Sequence, residues 1–369
     1  MTGLTITPGT PSGLSWDGAP LELWGVRVAS AAVRDEWTEA LLAHLDEYRA
    51  YGVNALTVFY QGSSGGSLQA FASDGTEVDA GVQRRMERIV EAAGERGMIV
   101  VAGIFYQAQI ARLDPENGPW LASRDAYLRA AERVARRLRP YRNVIINVAN
   151  EHNTRRWASC PYPMQTVDGI VQLCLAVKEG DPERLVGGGG VHPGVNVELS
   201  LRPELDVLMF DWHGPSAEAV AAYRAAGSTK PLMNVELFGG HAEGFAEEDD
   251  VAWAGQNLSW PGWKGGAWEQ PPAGRRRIQG VFPPGRQIGR HKGMADFLEE
   301  IAFAARTPGF SLFGHFPGWY QGISRCATFD NRFDLGGGGT RADPGIRWYF
   351  EAVAMARGLR SSNALRPEG

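Results

Sequence analysis

Asn143–Asn150, read NVIINVAN, runs straight into Glu151, and Pro231–Val235, read PLMNV, runs into Glu236. A short, nearly continuous apolar run bounded by polar or turn residues predicts a strand buried on both faces, the mark of a parallel sheet. Each glutamate then stands at the C-terminal end of its strand. In barrels of alternating strands and helices, those ends are where reactive side chains collect. Two such glutamates predict a pair of acids working on one bond.

Outward from these two runs, aromatic and β-branched stretches alternate with charged stretches of helical period, the rhythm of strand–helix units around a parallel sheet. Eight strands are expected: 23–29, 55–60, 99–106, 143–148, 185–190, 207–212, 231–235 and 310–315. Eight strands close a barrel. Helices are expected over 35–51, 81–96, 124–138, 164–178, 216–226, 294–306 and 344–357, with Asp35 and Ser216 as cap residues. In 126–138, Ala126, Leu128, Ala131, Val134 and Leu138 recur near helical spacing while Arg129, Glu132, Arg133, Arg136 and Arg137 fill the other side, which assigns this helix to an outer ring.

The first twenty or so residues, with Pro8, Pro11 and the turn Asp17-Gly18, read as a hairpin plugging the bottom of the barrel. The expectation is a single (β/α)8 TIM barrel over 1–369, with a lid insertion at 239–292 after the seventh strand and an extended loop at 318–343 after the eighth. Loops of that length in a compact domain are usually functional lids or disordered.

The chain has 369 residues, 44% of them hydrophobic and 21% charged, enough for a large single core. Lys and Arg number 37 against 42 Asp and Glu, a formal charge of −5, which disfavours nucleic acid or an anionic membrane as partner. Cys160, Cys174 and Cys326 fall in no CxxC or Cys/His spacing and read as free thiols. The N-terminus carries no basic region or apolar stretch of signal-peptide length, and no run is long enough to span a membrane, so the expected location is cytoplasmic. A homo-oligomer is left open.

Cleaving a glycosidic bond with retention needs one carboxyl to protonate the leaving oxygen and a second, about 5 Å away, to attack the anomeric carbon. Strands four and seven lie nearly opposite in an eight-strand barrel, so Glu151 and Glu236 suit this chemistry. Asn150-Glu151 ending strand four, with Glu236 ending strand seven, resembles the clan A glycoside hydrolases, the cellulase-like barrels of which family five is one member. Trp16-Asp17-Gly18-Ala19-Pro20 before Trp24-Gly25-Val26, and Tyr51-Gly52-Val53-Asn54 before strand two, are similar to the clan's entries into its first two strands. The resemblance implies that Glu151 is the acid/base, Asn150 the holder of the sugar's 2-hydroxyl and Glu236 the nucleophile, with no cofactor and a carbohydrate as partner.

Two departures stand out. Many family-five members carry an arginine in strand two, where this chain reads Thr57-Val58-Phe59-Tyr60, and Arg27 in strand one is a substitute. After strand six those members show a histidine and tyrosine pair, where this chain reads Asp211-Trp212-His213-Gly214. His213, Arg27 and Tyr320 are the expected donors to Glu236, and a partly desolvated Glu151 is expected to hold its proton more tightly.

Trp253, Trp260, Trp263 and Trp268 crowd the insertion after strand seven, and Trp319 with Tyr320 follows strand eight. Aromatic faces stack on sugar rings, so Trp319 and Trp268 are candidates for substrate contact, the rest for a small lid core. Such a lid predicts a pocket, hence exo action or a short oligosaccharide or glycoside as substrate. Arg275-Arg276-Arg277 reads as a solvated face, with an acidic sugar as the sharper alternative. His152, His192, His213, His241, Asp211 and Glu151 have no HxH or HExxH spacing, so no metal site is expected. The rival readings are a sugar-binding barrel without chemistry and a metal-dependent barrel hydrolase or isomerase.

Overall fold

The computed structural model describes residues 3–7, 13–63, 66–67, 69–107, 121–191, 193–212, 214–238, 244–246, 276–278, 294–316, 333–335 and 346–358. Eight parallel strands close a barrel: β1 (Trp24–Arg27), β2 (Ala55–Phe59), β3 (Ile99–Phe105), β4 (Val144–Ala149), β5 (Val186–Gly188), β6 (Val207–Phe210), β7 (Leu232–Phe238) and β8 (Phe310–His315). Strand β8 pairs back onto β1 through Leu312↔Trp24 and Gly314↔Val26. Among the described residues eight helices alternate with them: α1 (Asp35–Ala50), α2 (Ala80–Glu95), α3 (Arg124–Leu138), α4 (Val167–Gly180), α5 (Pro193–Leu201), α6 (Ser216–Ala225), α7 (Met294–Ala304) and α8 (Arg347–Ala356). This is the (β/α)8 barrel the sequence predicts. The insertion at 239–292 and the loop at 318–343 lie almost wholly outside the described residues.

Two apolar clusters follow from the two faces of each strand. Ala55, Ile99, Val101, Ile145, Val207, Met209, Met233, Val235 and Phe313 fill the barrel interior. Their neighbours Leu56, Val100, Ala102, Ile146, Leu208, Leu232 and Leu312 face outward and pack in one core with the helices. Alternation of side-chain direction produces this division. In α3 the buried stripe is Ala126, Tyr127, Ala130, Ala131, Val134, Ala135 and Leu138, close to the expected face.

The N-terminal segment is a three-stranded antiparallel sheet, Leu4–Ile6, Leu14–Trp16 and Ala19–Leu21, turning at Asp17 and Gly18, whose φ angles are 50° and 83°. Positive φ at both centres suits a tight hairpin turn, and Asp-Gly is favoured there. Leu4, Leu14 and Leu23 join the interior cluster, so the sheet plugs the barrel as expected.

Several boundaries are corrected. β7 does not stop at Val235 but continues to Phe238, so Glu236 lies inside the strand. Asp35 and Ser216 are first helical residues rather than caps: Arg34 and Pro215 hold the cap positions without side-chain bonds. The Ser216 N–H instead donates to Glu300 Oε1 of α7 at 3.0 Å. Caps of the expected chemistry occur at Asp79, Ser123 and Thr166, each accepting from a backbone N–H three residues on. Helix α5 is absent from the sequence reading, because PGVNVELSL has no amphipathic stripe to betray it.

Candidate active site

Glu236 owes its aim to a bulge. Asn234 pairs with Leu312 but Leu237 pairs with Gly314, so three steps along β7 oppose two along β8. One residue is extra. Val235 remains in the interior cluster and Leu237 in the outer one, and the extra position turns Glu236 inward as well. Its carboxylate is buried and meets three groups from three other strand ends: Oε2 lies 3.0 Å from Arg27 Nη1, Oε1 lies 3.0 Å from His315 Nδ1, and Asn150 Nδ2 donates to Oε2 at 3.1 Å.

Arg27, the last residue of β1, is fully buried. It pairs with Thr57 across the β1–β2 register, so its guanidinium serves the layer where strand two has no arginine. The charge centre sits 5.0 Å from the Phe59 ring and 5.6 Å from the Tyr106 ring. Room for Phe59 depends on Gly103, where a Cβ would come within 2.1 Å of that ring. Burial pulls the Arg27 proton affinity down, but Glu236, Tyr106 and Asp211 outweigh it and leave the net shift upward. Arg27 is therefore a fixed cation among carboxylates.

Glu151 follows β4 with φ of 43°. A non-glycine residue in the left-handed region costs about 1–3 kcal/mol and persists only where its surroundings impose it. Here its N–H donates to Asp211 Oδ2 at 2.9 Å, and the Trp157 indole N–H donates at 3.1 Å to the carbonyls of both Asn150 and Glu151. Its half-buried side chain accepts from Gln107 Nε2 at 2.8 Å. The residue next to it, Asn150, touches Glu236, so both glutamates belong to one hydrogen-bonded network.

Asp211, just past β6, is buried with Oδ1 3.4 Å from Arg27 Nη1. Burial first, then the charge of Glu236, push its carboxyl well above the usual range, while Arg27 pulls back. Burial likewise pushes the Tyr106 phenol upward, so it stays protonated. His152 does not face this cluster as a ligand would. Its Nδ1 lies 3.1 Å from the Met164 carbonyl oxygen, and burial pulls the imidazole down to about 4. No group of three or more His, Cys, Asp or Glu fit to hold a metal occurs among the described residues.

Of the residues singled out in the sequence, Glu151, Glu236, Asn150 and Arg27 come together in this way. His213, Trp319, Tyr320 and Trp268 lie outside the described residues, as do His192, His241, Cys326 and Arg275. Cys160 and Cys174 are free thiols. Among the described residues no helix is long and apolar enough to cross a membrane.

No protein-family model matches the sequence, and no curated protein does. Solved structures do. In fold, the chain resembles the glycoside hydrolases. A Bacteroides vulgatus ATCC 8482 protein assigned to the glycoside hydrolases superposes with a TM-score of 0.60 at 16% identity, over 97% of this chain and 61% of the other. A family 5 mannosidase from Rhizomucor miehei, in complex with mannosyl-fructose, gives 0.56 at 11% identity, over 97% and 98%. An exo-β-1,4-mannosidase from Opitutaceae bacterium strain TAV5 gives 0.55 at 17%, over 93% and 61%. The chain thus spans about three fifths of the length of the Bacteroides and Opitutaceae proteins. At such identities the likeness is one of fold.

His315, Asp211, Gln107 and Trp157 complete the cluster around Glu151 and Glu236, and sequence reasoning did not assign them to it. His315 ends the expected strand FSLFGH just as Glu236 follows PLMNV, and a polar residue closing an apolar run was the available signal. Asp211 closes the run VLMF in the same manner, and Gln107 stands two residues past the end of β3.

Proposed function

We propose that the chain is a retaining glycoside hydrolase in which Glu236 is the nucleophile and Glu151 the acid/base. The observation that carries this is the unequal setting of two carboxylates in one network. Glu236 is buried with the Arg27 guanidinium 3.0 Å from Oε2 and the His315 ring 3.0 Å from Oε1, and it accepts from Asn150 Nδ2, so a fixed positive charge and a donor face its oxygens. Glu151 is half-buried and meets the neutral amide of Gln107. That asymmetry is what the double displacement requires.

In the first step a Glu236 oxygen forms a bond to the anomeric carbon as the bond from that carbon to the leaving oxygen breaks, and Glu151 gives its proton to the departing oxygen. In the second, Glu151 takes a proton from water, the water oxygen bonds to the anomeric carbon, and Glu236 leaves as carboxylate. Arg27 offsets the charge on Glu236 at both ends of the cycle. No cofactor takes part. The substrate is a glycoside or short oligosaccharide taken from its end, a reading that rests on the length of the segments after β7 and β8. β-Mannosides come first in the panel because two neighbours of the same fold are mannosidases.

The test is Glu236→Gly assayed on 2,4-dinitrophenyl β-glycosides with and without azide. Activity falls on the order of 10⁴-fold, the scale of losing a nucleophile. Added azide restores turnover as a glycosyl azide of inverted configuration. Activity close to wild type in this variant would end the assignment.

A further inference from the structure

Asp211 is buried in the middle of the site, yet no step of the double displacement uses it. Its two oxygens serve two donors. Oδ2 accepts the Glu151 N–H at 2.9 Å, and Oδ1 faces Arg27 Nη1 at 3.4 Å, the same nitrogen that lies 3.0 Å from Glu236 Oε2. On its other side the Glu151 peptide is held by the Trp157 indole, and its φ of 43° is one that the chain adopts only under constraint. Resting on the function proposed above, we infer that Asp211 is a positioning residue: it fixes the acid Glu151 through its backbone and the nucleophile Glu236 through Arg27, so that proton delivery and attack are aligned on one bond.

The chemistry of the two partners explains why a carboxylate stands here. Both are donors, so both oxygens must accept, and Arg27 and the Glu151 N–H oppose the burial that would hold a proton there. An asparagine of nearly the same shape offers one acceptor and one N–H₂ group. Whichever way it turns, it sets a donor against either the Glu151 N–H or the Arg27 guanidinium. Asp211→Asn therefore disturbs alignment while preserving volume. Misalignment of the acid has a signature that loss of stability lacks. A dinitrophenolate departs without a proton, whereas a sugar alkoxide cannot, so an acid held out of place slows only the second kind of substrate in the first step.

The experiment measures kcat and KM of wild type and Asp211→Asn on 2,4-dinitrophenyl β-mannoside and on β-1,4-mannobiose, or on the corresponding pair for the sugar that the panel selects. Expected are a kcat/KM loss on the disaccharide at least tenfold greater than on the dinitrophenyl glycoside, and a KM within about twofold of wild type. In a Glu151→Gln background, where no acid remains to be aligned, Asp211→Asn should add less than twofold to that discrimination. Asp211→Ala, which removes both acceptors without adding a misplaced donor, should discriminate in the same direction and serves if the Asn variant does not fold. Equal losses on the two substrates, or a disaccharide loss under threefold, would overturn the positioning role. If azide rescues Glu236→Gly while Asp211→Asn shows equal losses, only this inference falls. If the wild type turns over no glycoside, both fall.

Discussion

Two buried arginines, at opposite ends of the barrel, do different work. Arg184 precedes β5 at the bottom, where it donates to the carbonyls of Tyr141 and Val144 at 2.8 Å and of Leu138 at 2.6 Å, with Asp181 3.0 Å away. Burial pulls its proton affinity down, and its one carboxylate does not fully reverse that. Arg27 ends β1 at the top and faces two carboxylates, which drive its affinity up despite complete burial. One arginine ties together the backbone carbonyls at the loop end before β4. The other holds like charges close together, a costly arrangement for a folding core and the kind that reacting sites use. Among the described residues, Leu4, Leu14 and Leu23 line the bottom of the barrel interior, while Arg27, Glu151, Asp211, Glu236 and His315 gather where β1, β4, β6, β7 and β8 end.

Replacing each arginine by lysine is the sharpest way to break this contrast, because charge survives while the planar fork is lost. Arg27→Lys should cut kcat on the order of 10²–10³-fold, the scale of removing one preorganised electrostatic contact, with little change in melting temperature. Arg184→Lys should do the reverse. Losing two of its three carbonyl bonds should lower stability by about 2–4 kcal/mol in denaturant titration, with kcat/KM unchanged. If Arg184→Lys lost activity at full stability, the separation of the two ends would collapse.

His152 sharpens the comparison from the acid side. Its folded pKa of about 4 lies below the ordinary value of 6.5, so the unfolded chain binds the extra proton between those limits. Stability from this group is complete above pH 6.5 and is lost as pH falls toward 4; from pH 7 to 5 the loss amounts to about 2 kcal/mol. Thermal melts of His152→Gln should show a correspondingly shallower decline over that window, and an unchanged slope would remove His152 from the account. The smallest effect is expected for Trp157→Phe, which keeps the ring and deletes the N–H shared by the Asn150 and Glu151 carbonyls. A loss of about 1 kcal/mol in transition-state stabilisation, near fivefold in kcat/KM, is the scale of one such bond.

Much of this was legible because strand ends are marked by abrupt changes of polarity. NVIINVAN before Glu151 and PLMNV before Glu236 announce both the barrel and two glutamates at its strand ends, and Arg27 inside the expected strand 23–29 stands out as a charge in an apolar run. The bulge in β7 was not legible, since one extra residue leaves an apolar run looking the same, yet it decides where Glu236 points. His315 and Asp211 stayed hidden for another reason. Each closes an apolar run as the glutamates do, but a lone histidine or aspartate there is as often a hydrogen-bonding end residue, and only the closed barrel brings β6 and β8 against β1 and β7. Arg184 gives no sign at all in sequence, because its partners are backbone carbonyls.

The central claim, that Glu236 attacks and Glu151 serves it, is tested most directly by trapping. Wild-type protein is incubated with the 2-deoxy-2-fluoro, dinitrophenyl-activated analogue of a glycoside that it turns over, digested, and read by mass spectrometry. A single fluoroglycosyl adduct on the peptide carrying Glu236, absent from Glu236→Gly, is the predicted result. Release of product with inverted configuration and no adduct, or an adduct on another carboxylate, would contradict it.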